Sequence, residues 1–138
     1  MEIRSFQIED TAAVILLWQT CGLVRPWNDP HRDIERKLAV QPELFLVGYE
    51  DTRIVASAML GYDGHRGSLY YFAIAPERQR QGLGHQLLAH AEALLTSRGC
   101  PKLNLLVRSA NAEVVTFYRR LGYVEDEVLS LGHRLIQD

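Results

Sequence analysis

The stretch that decides the reading is PERQRQGLGHQLL, residues 76–88. Gly82 and Gly84 stand where an apolar run gives way to a helical pattern. A helix start leaves several backbone N–H groups unpaired and carries about half a positive charge from its aligned peptide dipoles. An anion such as a diphosphate satisfies both, provided the backbone can come close to it, and glycine removes the side chain that would stand in the way. Gln79, Arg80, Gln81, Gly82, Leu83, Gly84 and His85 then form a run of amides converging on one anion, with Arg78 and Arg80 adding exposed positive charge. The competing reading is a glycine-softened turn that holds no ligand.

Other phosphate motifs fail on individual residues. The P-loop needs a Lys followed by Ser or Thr, and neither dipeptide occurs in the chain. The dinucleotide fingerprint needs Gly or Ala where Leu87 stands. What remains is Gln79-x-x-Gly82-x-Gly84.

On either side the pattern is regular. SLYYFAIA (68–75) is apolar nearly throughout, which predicts a strand buried on both faces. Apolar residues at 83, 87, 88, 91, 94 and 95 trace one helical face, ended by Gly99 and Pro101. KLNLLV (102–107) reads as another strand, residues 111–121 as a helix closed by Gly122, and VLSLGHRLI (128–136) as a final strand. Towards the start, EIRSF is a strand and Asp10 or Thr11 caps a helix carrying Val14, Leu17 and Trp18. CGLVRPWNDP is a loop, HRDIERKLAV a second helix, and LFLVGYE with RIVASAMLGY a hairpin. DGHRG turns the chain into residues 68–75. This order predicts an α/β fold of the α+β kind, a mixed sheet with helices on both faces, in one domain spanning 1–138.

Composition narrows the partners. A net charge of −2 gives no electrostatic support for nucleic acid. Thirteen of the 15 basic residues are arginine, which favours fork-shaped contacts. Two cysteines without ligand spacing and five histidines without an i,i+4 pair predict no metal. With no basic-then-apolar leader and no run of membrane-span length, the expectation is a cytoplasmic protein with no membrane partner.

YYFAIAPERQRQGLGHQLL (70–88) resembles the acetyl-CoA motif of the GCN5-related N-acetyltransferases, the GNAT superfamily. LVRSANAEVVTFYRRLGY (106–123) is similar to that family's second signature, an Asn opening a helix with a Tyr seven residues on. RPWNDP and GYDGHRG further resemble the YpeA subfamily. The resemblance implies a central six- to seven-stranded mixed sheet, splayed between strands 4 and 5, with about four helices on its two faces. It implies acetyl-CoA as co-substrate, with Phe72, Ala73 and Ile74 offering backbone groups to the pantetheine arm and the amides of residues 80–85 holding the pyrophosphate. Tyr118 would be the proton donor and Asn111 a pantetheine contact. From the residues alone, Asn111 reads equally as a helix N-cap and Tyr118 as a half-buried core tyrosine.

The implied reaction is direct transfer of acetyl to a primary amine, in a small molecule or peptide, through a ternary complex. The acceptor would enter beside Arg25, Trp27, Asn28 and Asp29, with Asp63 and His65 on the later turn; a homodimer is compatible. One departure stands out. Some relatives carry a glutamate where this chain has Leu106, and neither 68–75 nor 103–108 contains an acid. Asp63, His65, Asp29, His31 or water must then take the amine's proton. The same gap supports an alternative, a non-catalytic acyl-CoA-binding sensor on the same fold.

Overall fold

The computed structural model describes residues 1–138. Five strands form one sheet in sequence order: β1 (Glu2–Ser5), β2 (Phe45–Glu50), β3 (Arg53–Tyr62), β4 (Gly67–Ile74) and β5 (Leu103–Leu105). Neighbours are antiparallel from β1 to β4, and β4 and β5 are parallel. Helices α1 (Thr11–Thr20) and α2 (Pro30–Leu38) connect β1 to β2; α3 (Leu83–Ser97) makes the β4–β5 crossover, and α4 (Ala112–Arg120) follows β5. The alternation of β3 sends Val55 and Met59 into a core with Trp18 and Phe45, and Ala56, Ala58 and Leu60 into a second core with Leu87, Leu88 and Leu95. Helices therefore cover both faces. No helix is long and apolar enough to cross a membrane.

The feature that shapes the site is a bulge in β4. Between the pairs Met59↔Tyr70 and Ser57↔Ala73, β3 advances two residues and β4 three. The extra residue leaves Tyr71 at φ 50°, a left-handed conformation that costs a non-glycine residue about 1–3 kcal/mol. Three contacts hold it there. The Tyr71 ring stacks on Trp18 with centroids 3.8 Å apart, and its hydroxyl donates to Asp33. Ser57, fully buried, accepts from Trp18 Nε1 at 2.9 Å and donates to the Tyr71 carbonyl at 2.7 Å. Beyond the bulge β4 loses its parallel partner: pairing with β5 runs only from Gly67↔Leu103 to Leu69↔Leu105. The splay between the fourth and fifth strands is present.

The sheet has five strands rather than six or seven. The expected strand at 128–136 does not form, and β5 is shorter than KLNLLV suggested. Residues 124–138 make no backbone–backbone hydrogen bond, and Leu129, Leu131 and Leu135 are exposed. A strand exists through its ladder, and a three-residue β5 offers little edge to pair with. Side chains tether the segment instead: Lys102 to Asp126 at 2.9 Å, Arg134 to Asn28 at 2.7 Å, and Arg36 to Asp138.

Candidate active site

Three helices begin in different ways. Asp29 caps α2, accepting from His31 N–H at 2.9 Å, and Asn111 caps α4, accepting from Val114 N–H at 3.4 Å. Helix α3 begins on Gly82, at φ +81°, with no side-chain cap. A Cβ at Gly82 would meet nothing within 4 Å, and no side chain caps the first amides of α3. Gln79 ties this loop to the end of β4 by donating to the Ile74 carbonyl at 3.0 Å. Gln81 is exposed, and Leu83 is buried and anchors the helix start in the core.

Two expectations around this loop change. A Cβ at Gly84 would stand 3.1 Å from Phe117 Cζ, so this glycine lets α3 and α4 pack closely, whatever else its amide does. Arg78 is not a free exposed cation: it pairs with Glu50 at 2.7 Å, and its Nε is buried without a partner. Arg80 is exposed, at φ 62°, and lies 3.9 Å from Glu113.

Ala73 and Ile74 lie past the bulge, paired with β3, and Phe72 lies within it without a register partner; none of the three pairs with a strand on the other side. Tyr118 is only 7% exposed and packs against Phe72, Phe117 and Tyr123, with ring centroids 5.1–6.1 Å away. Its hydroxyl makes no hydrogen bond within the protein, whereas Tyr123 donates to Glu92 at 2.8 Å. Burial pushes the Tyr118 phenol well above its ordinary pKa, so it keeps its proton at neutral pH. Asn111 serves as the α4 cap, with its amide N–H₂ left over.

The expected acceptor residues divide into two groups. Trp27 is exposed, with the Arg108 guanidinium 5.8 Å from its ring centre, so the α1–α2 loop reaches the far end of β5. Arg25 closes that loop, its carbonyl accepting from Asn28 N–H at 3.1 Å. Asn28 accepts from Arg134, and Asp29 is committed to its helix. Asp63 accepts from the amides of His65 and Arg66 at 2.8 and 2.7 Å; these bonds hold its carboxyl below the usual range and make it a poor base. His65 is exposed. A cavity of about 520 Å³ takes in Asp63, Arg66, Ser68, Tyr70 and Leu106 but none of residues 25–29. No group of three or more His, Cys, Asp or Glu is placed to hold a metal ion.

Sequence reasoning missed the Trp18–Ser57–Tyr71–Asp33 set that builds the bulge. No glycine marks the left-handed position, and the partners come from four separate elements.

The mixed sheet thus opens beside an uncapped helix start, with Tyr118 packed against Phe72 near the opening. The acetyltransferase (GNAT) family model matches residues 12–123, and the chain belongs to that family. It is 51% identical over 138 residues to an acetyltransferase of Yersinia pestis, covering all of this chain and 98% of that one. Among solved structures, Ard1 from Thermoplasma volcanium superposes with a TM-score of 0.77 at 25% identity, covering 89% of this chain and 82% of its own. The ribosomal-protein-S18-alanine N-acetyltransferase of Escherichia coli gives 0.76 at 27%, covering 91% and 78%.

Proposed function

We propose that this protein transfers an acetyl group from acetyl-CoA to a primary amine, directly and within a ternary complex. One juxtaposition carries the reading: the bare start of α3 opens beside the unpaired outer edge of β4. The residues present fit the cofactor. Amides from Arg80 to His85 would hold the diphosphate, the β4 backbone at Phe72, Ala73 and Ile74 would pair with the pantetheine, and Asn111 has an amide N–H₂ to give. Acetyl-CoA, when bound, supplies the acetyl group as a thioester.

The chain's own groups then account for the protons. The bond from acceptor nitrogen to acetyl carbon forms as the carbon–sulfur bond breaks. Tyr118, fully protonated, gives its proton to the departing sulfur. Asp63, holding two amides, and Asp29, engaged as a cap, are poor bases, so the acceptor nitrogen loses its proton to water or to one of the exposed histidines, His65 or His31. A site without a close carboxylate base favours weakly basic amines. An α-amine is roughly one-tenth neutral at pH 7, a lysine amine only about 0.04%. The E. coli neighbour, a ribosomal-protein-S18-alanine N-acetyltransferase, is in keeping with that preference.

The test is calorimetric titration with acetyl-CoA, followed by CoA release on a panel of amines. Saturable one-site binding with amine-dependent release is expected. Binding without release on any amine would leave the sensor reading standing. Tyr118→Phe should keep acetyl-CoA affinity and lower kcat on the order of a hundredfold; unchanged turnover would remove Tyr118 from the mechanism.

A further inference from the structure

The cavity of about 520 Å³ lies on the α1–α2 side of the sheet, over the short β4–β5 pairing. Its lining ends at Tyr70 and Leu106, the first residues beyond the last β4–β5 pair, Leu69↔Leu105. It therefore opens where the strands part, on the face away from α3 and Tyr118. Its volume suits a small molecule or a chain end rather than a folded surface.

Its charge is unusual for an amine acceptor. Lys37, on the last turn of α2, reaches the floor: a Cβ at Gly61 would lie 4.0 Å from Lys37 Nζ and 2.8 Å from Ser68 Oγ. Gly61 thus leaves room above the sheet for both the ammonium and the hydroxyl. Lys37 is half-buried and makes no ion pair; Glu43, the carboxylate acting on it, pairs with Arg98 at 3.0 Å. Desolvation lowers the Lys37 pKa, the mark of a cation without a full set of partners. The Arg66 guanidinium, at the same rim, donates only to the neighbouring His65 carbonyl. Asp63 is the only acid in the lining. A half-buried cation in no ion pair, whose one nearby carboxylate is engaged by Arg98, is a place for a ligand's anion.

We infer that this cavity is the acceptor pocket, and that Lys37, with Arg66 beside it, receives an anionic group of the acceptor. The substrate is then a small primary amine that also bears a carboxylate or a phosphate. Asn104, Ser68 and Tyr70 supply neutral hydrogen-bonding groups between that anion and the strand opening. This inference rests on the transferase reading above for the word acceptor, and on the cavity alone for the anion.

Matched amines separate the two. Glycine against glycinamide, and O-phosphoethanolamine against ethanolamine, are titrated into the protein with and without CoA, so that no turnover is needed. The anionic member of at least one pair should bind at least tenfold more tightly, and which pair responds identifies carboxylate or phosphate. Lys37→Met should abolish that preference and Lys37→Arg should keep most of it. Equal binding within both pairs, or a preference that survives Lys37→Met, overturns the inference. CoA release from acetyl-CoA on the same amines then tests the transfer: selective binding without release fails the transferase reading and leaves the anion site intact. Release that ignores the anion does the reverse.

Discussion

Helices α2 and α4 begin on a side chain, and α3 begins on none. Asp29 and Asn111 each give an oxygen to an amide of their own helix, while Gly82 presents open space to the amides of α3. Glycine is itself a fair N-cap, so going without a side-chain cap costs α3 only roughly a few tenths of a kcal/mol. Helix α1 also lacks a side-chain cap but runs straight on from the turn at Ile8–Asp10, so among the helices that start from a loop only α3, whose start faces an unpaired strand edge, goes without. The contrast separates amides used to build the protein from amides kept for a ligand.

Giving α3 a carboxylate of its own should erase the difference, and this is the largest effect expected. Gly82→Asp places a negative charge at the helix start, where left-handed backbone is better tolerated by Asp than by most residues. Acetyl-CoA affinity should fall on the order of a hundredfold, about 2.7 kcal/mol, with the circular dichroism spectrum unchanged. Undiminished affinity in a folded variant would mean that the amides of α3 hold nothing.

Gly84 sharpens the contrast within a single motif. It is two residues away, yet its missing side chain makes room for the Phe117 ring. Gly84→Val should therefore act first on folding, lowering stability by about 1–3 kcal/mol through overpacking of α3 against α4. Thermal melts would show the loss in the absence of any ligand. A variant as stable as the parent but deficient in acetyl-CoA binding would place Gly84 with Gly82, in the seat rather than in the packing.

The same division explains what could be read in the residues. The helices were legible because periodicity and caps are local, and so was the glycine pair as a special helix start. Which glycine did what was not, because Phe117 approaches from another helix. The bulge was hidden for a similar reason: Tyr71 adopts a left-handed backbone that its own identity disfavours, imposed by Trp18, Ser57 and Asp33. Residues 128–136 misled in the opposite direction. Their apolar content suits a strand, but strands depend on an edge, and the length of β5 is not visible in the segment that would pair with it. Lys37 is one charge among several in HRDIERKLAV, and nothing local to that segment shows Gly61 and Ser68 beside it.

The smallest effect tests whether one residue can stand on both sides of the comparison. Asn111 spends its carbonyl oxygen on Val114, leaving two amide donors for a cofactor. At 3.4 Å that cap is long, so Asn111→Ala should cost only about 0.5 kcal/mol, whereas Asp29→Ala, which breaks a 2.9 Å bond, should cost about 1 kcal/mol. Asn111→Ser restores an equivalent cap with a shorter side chain and should restore the stability. Neither Asn111 variant should restore acetyl-CoA affinity, which is expected to fall about threefold to fivefold in both, the worth of one modest hydrogen bond. Asp29→Ala should leave that affinity alone. If Asn111→Ser recovers affinity together with stability, the amide donors are idle and Asn111 belongs with Asp29, among the residues that build their helices and touch nothing else.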